Sequence, residues 1–156
     1  MRRAICPGSF DPVTLGHVDI FERAAAAFDE LYIGVFSNVR KKPMFSVEER
    51  SRLLAEATKH LPNVKIVAFD GLLANYMLQH DIGFIVRGLR SVTDYEYEQG
   101  QAQLIKAMHP QLDTMFLLGR PEYNSYSSSV VRELLNFGGD IAPLVPQCVA
   151  DFIKNR

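Results

Sequence analysis

Five short apolar runs divide the chain: RAIC at 3–6, LYIGVFS at 31–37, VKIVAF at 64–69, FIVRG at 84–88 and TMFLL at 114–118. Each has the length of a buried strand, and the first is followed at once by Pro7-Gly8, which reads as a turn. The segments between them carry helical spacing. From Gly16, HVDIFERAAAAF puts Val18, Phe21, Ala24, Ala25 and Phe28 on one face. Ser46-Val47-Glu48-Glu49 is a capping-box pattern, in which Ser46 accepts from the Glu49 amide and the Glu49 carboxylate reaches back. The helix it starts is expected to run through LLAEATKHL, and further helices are expected at 72–80, 93–108 and 127–137 and in VPQCVADFIKN. Gly138-Gly139 should close the helix at 127–137. Apolar strands alternating with helices imply an α/β chain with a doubly wound, mostly parallel five-stranded sheet covered on both faces. Such sheets bind ligands beyond the carboxyl ends of their strands.

At 156 residues, one domain spanning 1–156 is expected. A formal charge of −1 leaves no overall basic surface for nucleic acid or an acidic membrane, so any polyanion bound here is small and held locally. No apolar run approaches the roughly 20 residues of a membrane span. No long apolar stretch follows the arginines of MRRAICPGSF, so a cytoplasmic setting is expected. Cys6 and Cys148 lie too far apart in sequence for a CxxC metal or redox site.

The chemistry-bearing residues gather after the strands. Gly8 and Ser9 follow the first strand, and Thr14-Leu15-Gly16-His17 stands at a helix start, where free amides and the helix dipole favour an anion. Gly16 lets a ligand approach the backbone, and His17 can offer a hydrogen bond or a positive charge to a phosphate. A lone TxGH is more often a turn with a helix-start histidine on the surface. It contains neither GxxxxGK[ST] nor GxGxxG, which removes the support for P-loop and dinucleotide-binding readings. Arg87-Gly88-Leu89-Arg90 follows the fourth strand with two guanidiniums suited to bidentate phosphate contacts. Ser127-Ser128-Ser129 precedes VVREL, again at a helix start and with more hydroxyls than capping requires. Lys41 and Lys42 follow the second strand, where a lysine can act as a point charge on a phosphate, although a lysine pair in a loop is more often plain solvated surface. Asp94, Glu96 and Glu98 open the long helix and read mostly as a solvated face. His60, His80 and His109 lack ligand spacing, and Cys6 reads as a packed thiol. Three strand ends and a helix start bearing phosphate-binding features exceed the needs of one phosphate; a triphosphate and a second phosphorylated substrate would use them all.

Taken in order, GSFDPVTLGH, KKPMFSVEER, IVRGLRSVTDYEYE and SYSSSVVRE resemble the phosphopantetheine adenylyltransferase family along nearly the whole chain. TLGH and SSSVVR are versions of the wider nucleotidyltransferase motifs, whereas KKPMF and RGLR with DYEYE are more particular. The resemblance implies a Rossmann-like nucleotidyltransferase fold. It also implies transfer of AMP from ATP to the 4′-phosphate of phosphopantetheine with Mg²⁺, in a cytoplasmic homo-oligomer, usually a hexamer. Carried over by position, His17 matches the residue that stabilises the transition state, and Ser9, Lys41, Leu73 and Arg87 match the phosphopantetheine contacts. On charge alone, Lys41 is expected beside His17 at the α-phosphate oxygens and Arg90 at the departing pyrophosphate. Ser9, Phe10, His17, Gly88, Leu89, Arg90, Glu98, Tyr123, Asn124, Ser125, Tyr126, Ser127, Ser128 and Ser129 contact ATP. The sequence departs from the family's commoner residues at Ser9 (often Thr), Cys6 (often Tyr), Tyr126 (often Ile) and Leu15 (often Asn). The rivals are a sister nucleotidyltransferase using nicotinamide mononucleotide or glycerol 3-phosphate, and a non-catalytic nucleotide-binding module.

Overall fold

The computed structural model describes residues 1–37 and 42–156. Five strands form one sheet: β1 (Arg3–Gly8), β2 (Glu30–Phe36), β3 (Val64–Phe69), β4 (Phe84–Leu89) and β5 (Asp113–Leu118). They lie in the order β3-β2-β1-β4-β5, and every pairing is parallel. The helices are α1 (Leu15–Ala27), α2 (Val47–Ala57), α3 (Leu73–Gln79), α4 (Val92–Met108), α5 (Ser128–Asn136) and α6 (Gln147–Lys154). No described helix is long and apolar enough to cross a membrane.

Alternation along the strands splits the core. Ala4, Cys6, Leu31, Ile33, Val35 and Val86 face a large cluster with α1, α2, α5 and α6. Ile5 and Ile85 face the opposite side, where they meet only Met77, Ile82 and Leu112 as fully buried partners, with Ile105 of α4 packed against them.

Three local expectations are corrected. The first strand continues through Pro7 and Gly8 instead of turning there, paired with Gly34 and Val35 of β2. Proline can sit in this central strand because the pairing of β1 with β4 involves only Ala4 and Ile5. Beyond that point the two strands part, and Arg87 Nη1 donates to the Pro7 carbonyl at 3.2 Å. Next, Ser46 does cap α2 by accepting from Glu49 N at 3.0 Å, but no return bond from the Glu49 carboxylate accompanies it. Finally, α2 ends at Ala57, where Thr58 is buried and its hydroxyl donates to the Leu54 carbonyl at 2.7 Å. The close of α5 is as expected. Gly138 takes φ +72°, its amide bonds Leu135 O, and Gly139 N bonds Leu134 O at 2.7 Å.

Candidate active site

The order of the strands reverses between β1 and β4, and the parting of those two strands opens a crevice at their carboxyl ends. A cavity of about 510 Å³ occupies it. Its walls come from the loop after β1, the start of α1, the end of β4, the start of α4, the 119–126 connection and the start of α5.

The α1 start carries the reciprocal capping box that was expected at Ser46. Thr14 Oγ1 accepts from His17 N at 3.3 Å, and Thr14 N donates to His17 Nδ1 at 3.0 Å. Because Nδ1 accepts a backbone hydrogen bond, the ring proton of neutral His17 belongs on Nε2, at the opposite edge of the ring. Phe10 meets the imidazole edge-on at 5.1 Å, and Phe21 stacks along it at 6.4 Å. Phe10 itself holds φ +47°, a left-handed conformation that a bulky residue rarely takes. Its ring lies over Gly8, where a Cβ would come within 2.7 Å of it. Burial, with a smaller contribution from the Arg90 guanidinium, pushes the His17 pKa down to about 4. Of the two options in the sequence, His17 therefore takes the neutral donor over the cation.

Arg87 and Arg90 stand on the opposite wall, each against a carboxylate of α4. Arg87 Nε lies 3.3 Å from Glu98 Oε2, and Arg90 Nε lies 3.6 Å from Asp94 Oδ2. Asp94 and Glu98 therefore do not belong to the solvated face expected for them. They are four residues apart on one side of α4 and line the cavity, whereas Glu96 is exposed. The i,i+4 spacing from Arg90 to Asp94 to Glu98 was the signal that could have separated these three acids.

The three serines have three tasks. Ser127 caps α5 by accepting from Val130 N at 3.1 Å. Ser128 Oγ donates to the Pro12 carbonyl at 2.7 Å and ties α5 to the first loop. Ser129 Oγ accepts from Arg132 Nη2 at 3.2 Å. Arg132, not assigned to the site beforehand, lines the cavity one turn after Ser128, and Gly119 lines it between Leu89 and Arg90.

Ser9, Phe10, His17, Arg87, Gly88, Leu89, Arg90, Glu98, Tyr123, Tyr126, Ser127, Ser128 and Ser129 are thus brought together around one space. Asn124 and Ser125 are exposed and off its lining; Leu73 packs against the small core cluster. Lys41 lies outside the described residues. Cys6 forms part of the cavity floor, where burial pushes its thiol up to about 12, so it stays protonated and packed. Among the described residues, no three His, Cys, Asp or Glu side chains group as a metal site. With Asp94 and Glu98 turned to arginines, the described residues lining the cavity do not form a cage for Mg²⁺.

The comparisons with known proteins agree with one another. The Cytidylyltransferase-like family model matches residues 5–134. A protein of Shouchella clausii named phosphopantetheine adenylyltransferase is 51% identical over 99% of this chain and 97% of its own length. One of the same name from Symbiobacterium thermophilum is 49% identical over 100% of the chain and 96% of its own. A solved structure from Vibrio parahaemolyticus, described as a nicotinate-nucleotide adenylyltransferase, superposes with a TM-score of 0.73 at 19% identity. It covers 99% of this chain and 93% of that one, a likeness of fold. Identity of this order over the full length places the chain in the phosphopantetheine adenylyltransferase family, within the cytidylyltransferase-like nucleotidyltransferases.

Proposed function

We propose that this protein transfers AMP from ATP to the 4′-phosphate of phosphopantetheine, releasing pyrophosphate and forming dephospho-coenzyme A. The observation that carries the reading is the convergence of two helix starts and three arginines on a single cavity at the β1/β4 crevice. That is more anion-binding capacity than one phosphate group uses.

The attacking group is a phosphate monoester, largely dianionic at pH 7 because its second pKa is near 6. It needs no general base, and the chemistry asks instead for alignment and for stabilisation of charge building on the α-phosphate. His17 supplies a neutral Nε2–H donor whose orientation is set before substrate arrives, by Thr14 on one edge and by Phe10 and Phe21 on its faces. The α5 amides, Ser129, Arg90 and Arg132 suit the departing pyrophosphate, while Arg87 and Ser9 suit the acceptor. Lys41 is assigned to the acceptor phosphate by its place in KKPMF. Mg²⁺ belongs to this reading only as a companion of ATP and would supply positive charge beside its phosphates. The cytoplasm is the setting we assign to the reaction. A homo-oligomer, hexameric by family likeness, is supported by the exposed apolar side chains Leu104, Met108 and Leu118.

Incubation with ATP, Mg²⁺ and phosphopantetheine should release pyrophosphate. His17→Ala should lower turnover by about 100- to 1000-fold with the fold intact, the usual cost of one such donor. Release with nicotinamide mononucleotide or glycerol 3-phosphate but not phosphopantetheine would instead favour a sister enzyme. Release with none of these acceptors would favour a binding module.

A further inference from the structure

Asp19 is a buried carboxylate that this mechanism does not use. It lies on α1 two residues after His17, off the cavity lining, and is 6% exposed. Its Oδ2 accepts from Arg23 Nη2 at 2.8 Å, and its Oδ1 lies 3.1 Å from Arg120 Nε. Arg23, one turn on in the same helix, already gives the buried charge a partner. Arg120 is an addition that local pairing does not require, and it comes from the connection after β5. Arg23 reaches that connection too, because its Nη2 also donates to the Leu118 carbonyl at 2.7 Å. Its Nε is buried and finds no hydrogen-bond partner among the described residues. An orphaned donor is costly, so Asp19 and Leu118 place this guanidinium, not its own hydrogen-bonding needs.

The connection so held is a wall of the cavity. Gly119 N donates to Leu89 O at 2.8 Å and fixes its near end to β4, and Ser128 Oγ on Pro12 O fixes its far end. Between these points the two arginines fasten Leu118 and Arg120 to α1. Tyr123 then sits against Gly16, where an added Cβ would touch the Tyr123 Cβ at 3.5 Å. Tyr123 and Tyr126, with ring centroids 5.3 Å apart, are the aromatic rings of this connection that line the cavity. Flat aromatic surface of this kind suits a nucleobase. One helix therefore carries the donor aimed at the α-phosphate and, two residues on, the anchor of the aromatic wall.

We propose that Asp19 is a positioning residue for the nucleotide. Through Arg120 and Arg23 it holds the Tyr123 wall at a set distance from His17, so that a base seated on the wall brings its α-phosphate to the His17 Nε2–H. The proposal rests on the reading of ATP as the donor substrate. Misplacement of a reacting group by about 1 Å is enough to cost on the order of 100-fold in rate, so this clamp is expected to matter kinetically.

The test compares Asp19→Asn and Arg120→Gln with the parent, by calorimetric titration with ATP alone and by kcat and KM with ATP and phosphopantetheine varied in turn. Asp19→Asn keeps the shape of the side chain and removes the charge that gathers both arginines. It should weaken ATP binding roughly 10-fold and lower kcat by up to about 100-fold, with KM for phosphopantetheine within about twofold of the parent. The Arg120 side chain is 56% exposed, so Arg120→Gln leaves the core intact and should show the same split at smaller size. A folded Asp19→Asn with a lowered melting temperature but parental ATP affinity and kcat overturns the proposal, as do losses shared equally by the two substrates. Parental ATP affinity and kcat in Arg120→Gln overturn it as well, and decide the matter should Asp19→Asn fail to fold. A parent that binds ATP but releases no pyrophosphate with phosphopantetheine overturns the acceptor assignment and not the clamp, which the ATP titration still reads. A parent that does not bind ATP overturns both.

Discussion

On one face of the sheet α1, α2, α5 and α6 close over Phe21, Leu31, Leu54 and Val149, each at most 1% exposed. On the other, α3 and α4 cover Ile5, Met77, Ile82, Ile85 and Leu112, and α4 contributes no buried residue of its own. The site draws different parts from the two faces. His17 and the α5 start, whose donors need fixed positions, stand on the thickly packed face. Arg90 and Asp94, half-exposed and paired at 3.6 Å, belong with the thin face, where fewer packed neighbours fix a side chain. In the proposed reaction, packing holds the group that must be aligned, and partly exposed ion pairs hold the groups that must clasp and release.

The contrast should be plainest in stability. Phe21→Ala removes a ring that is 1% exposed, lies in the large cluster, meets Phe10 edge-to-face and stacks along His17. A loss of about 3–5 kcal/mol by denaturant unfolding is expected. A loss below 1 kcal/mol would mean that the packed face is no stiffer than the other.

Next in size is a pH effect confined to the packed side of the cavity. The folded pKa of His17, about 4, lies below its ordinary 6.5, so the folded state disfavours the proton. Its contribution is complete above about pH 6.5. It is lost as pH falls toward 4, where the unfolded chain takes up a proton that the folded chain refuses, for a total of at most about 3 kcal/mol. Cys6 acts in the opposite direction. Its folded value of about 12 lies above its ordinary 9.0, so stability falls as pH rises from 9 toward 12 and the unfolded thiol ionises. The melting temperature should therefore form a plateau between about pH 6.5 and 9. His17→Gln should flatten its acid limb, and Cys6→Ala its alkaline limb. Unchanged limbs in these variants would show that the cavity floor is wetter than its packing implies.

The smallest effect belongs to α4. Leu104 is 61% exposed, so Leu104→Ala should change the stability of the dilute monomer by less than about 0.5 kcal/mol. A larger loss that grows with protein concentration would show that a second copy covers this face.

Much of this was legible in the residues themselves. Four of the strands fall within one residue of the apolar runs, whereas β1 continues two residues further, past Pro7, which reads as a stop. Proline is tolerated there only because β4 has already left the ladder, which a single strand's sequence does not reveal. Ser9, His17, Arg87, Arg90 and the serines of α5 could be named because anion chemistry at strand ends and helix starts is local. Arg132, Asp94 and Gly119 were missed because their membership depends on which face of a helix or loop turns inward. Leu73, Asn124 and Ser125, carried over by likeness, lie off the cavity lining because the chain turns them to the small core cluster or to solvent.

The sequence by itself determined the alternation of strands and helices, the parallel sheet and the gathering of phosphate-binding residues at one edge. Those features follow from local periodicity, chirality and the helix dipole. Tertiary structure alone decided that His17 is a neutral donor with its proton on Nε2, that Asp94 and Glu98 face arginines, and that Asp19 holds both Arg23 and Arg120. Each depends on groups far apart in the chain meeting in a space shielded from water, where burial and hydrogen bonding, not residue type, set charge and orientation.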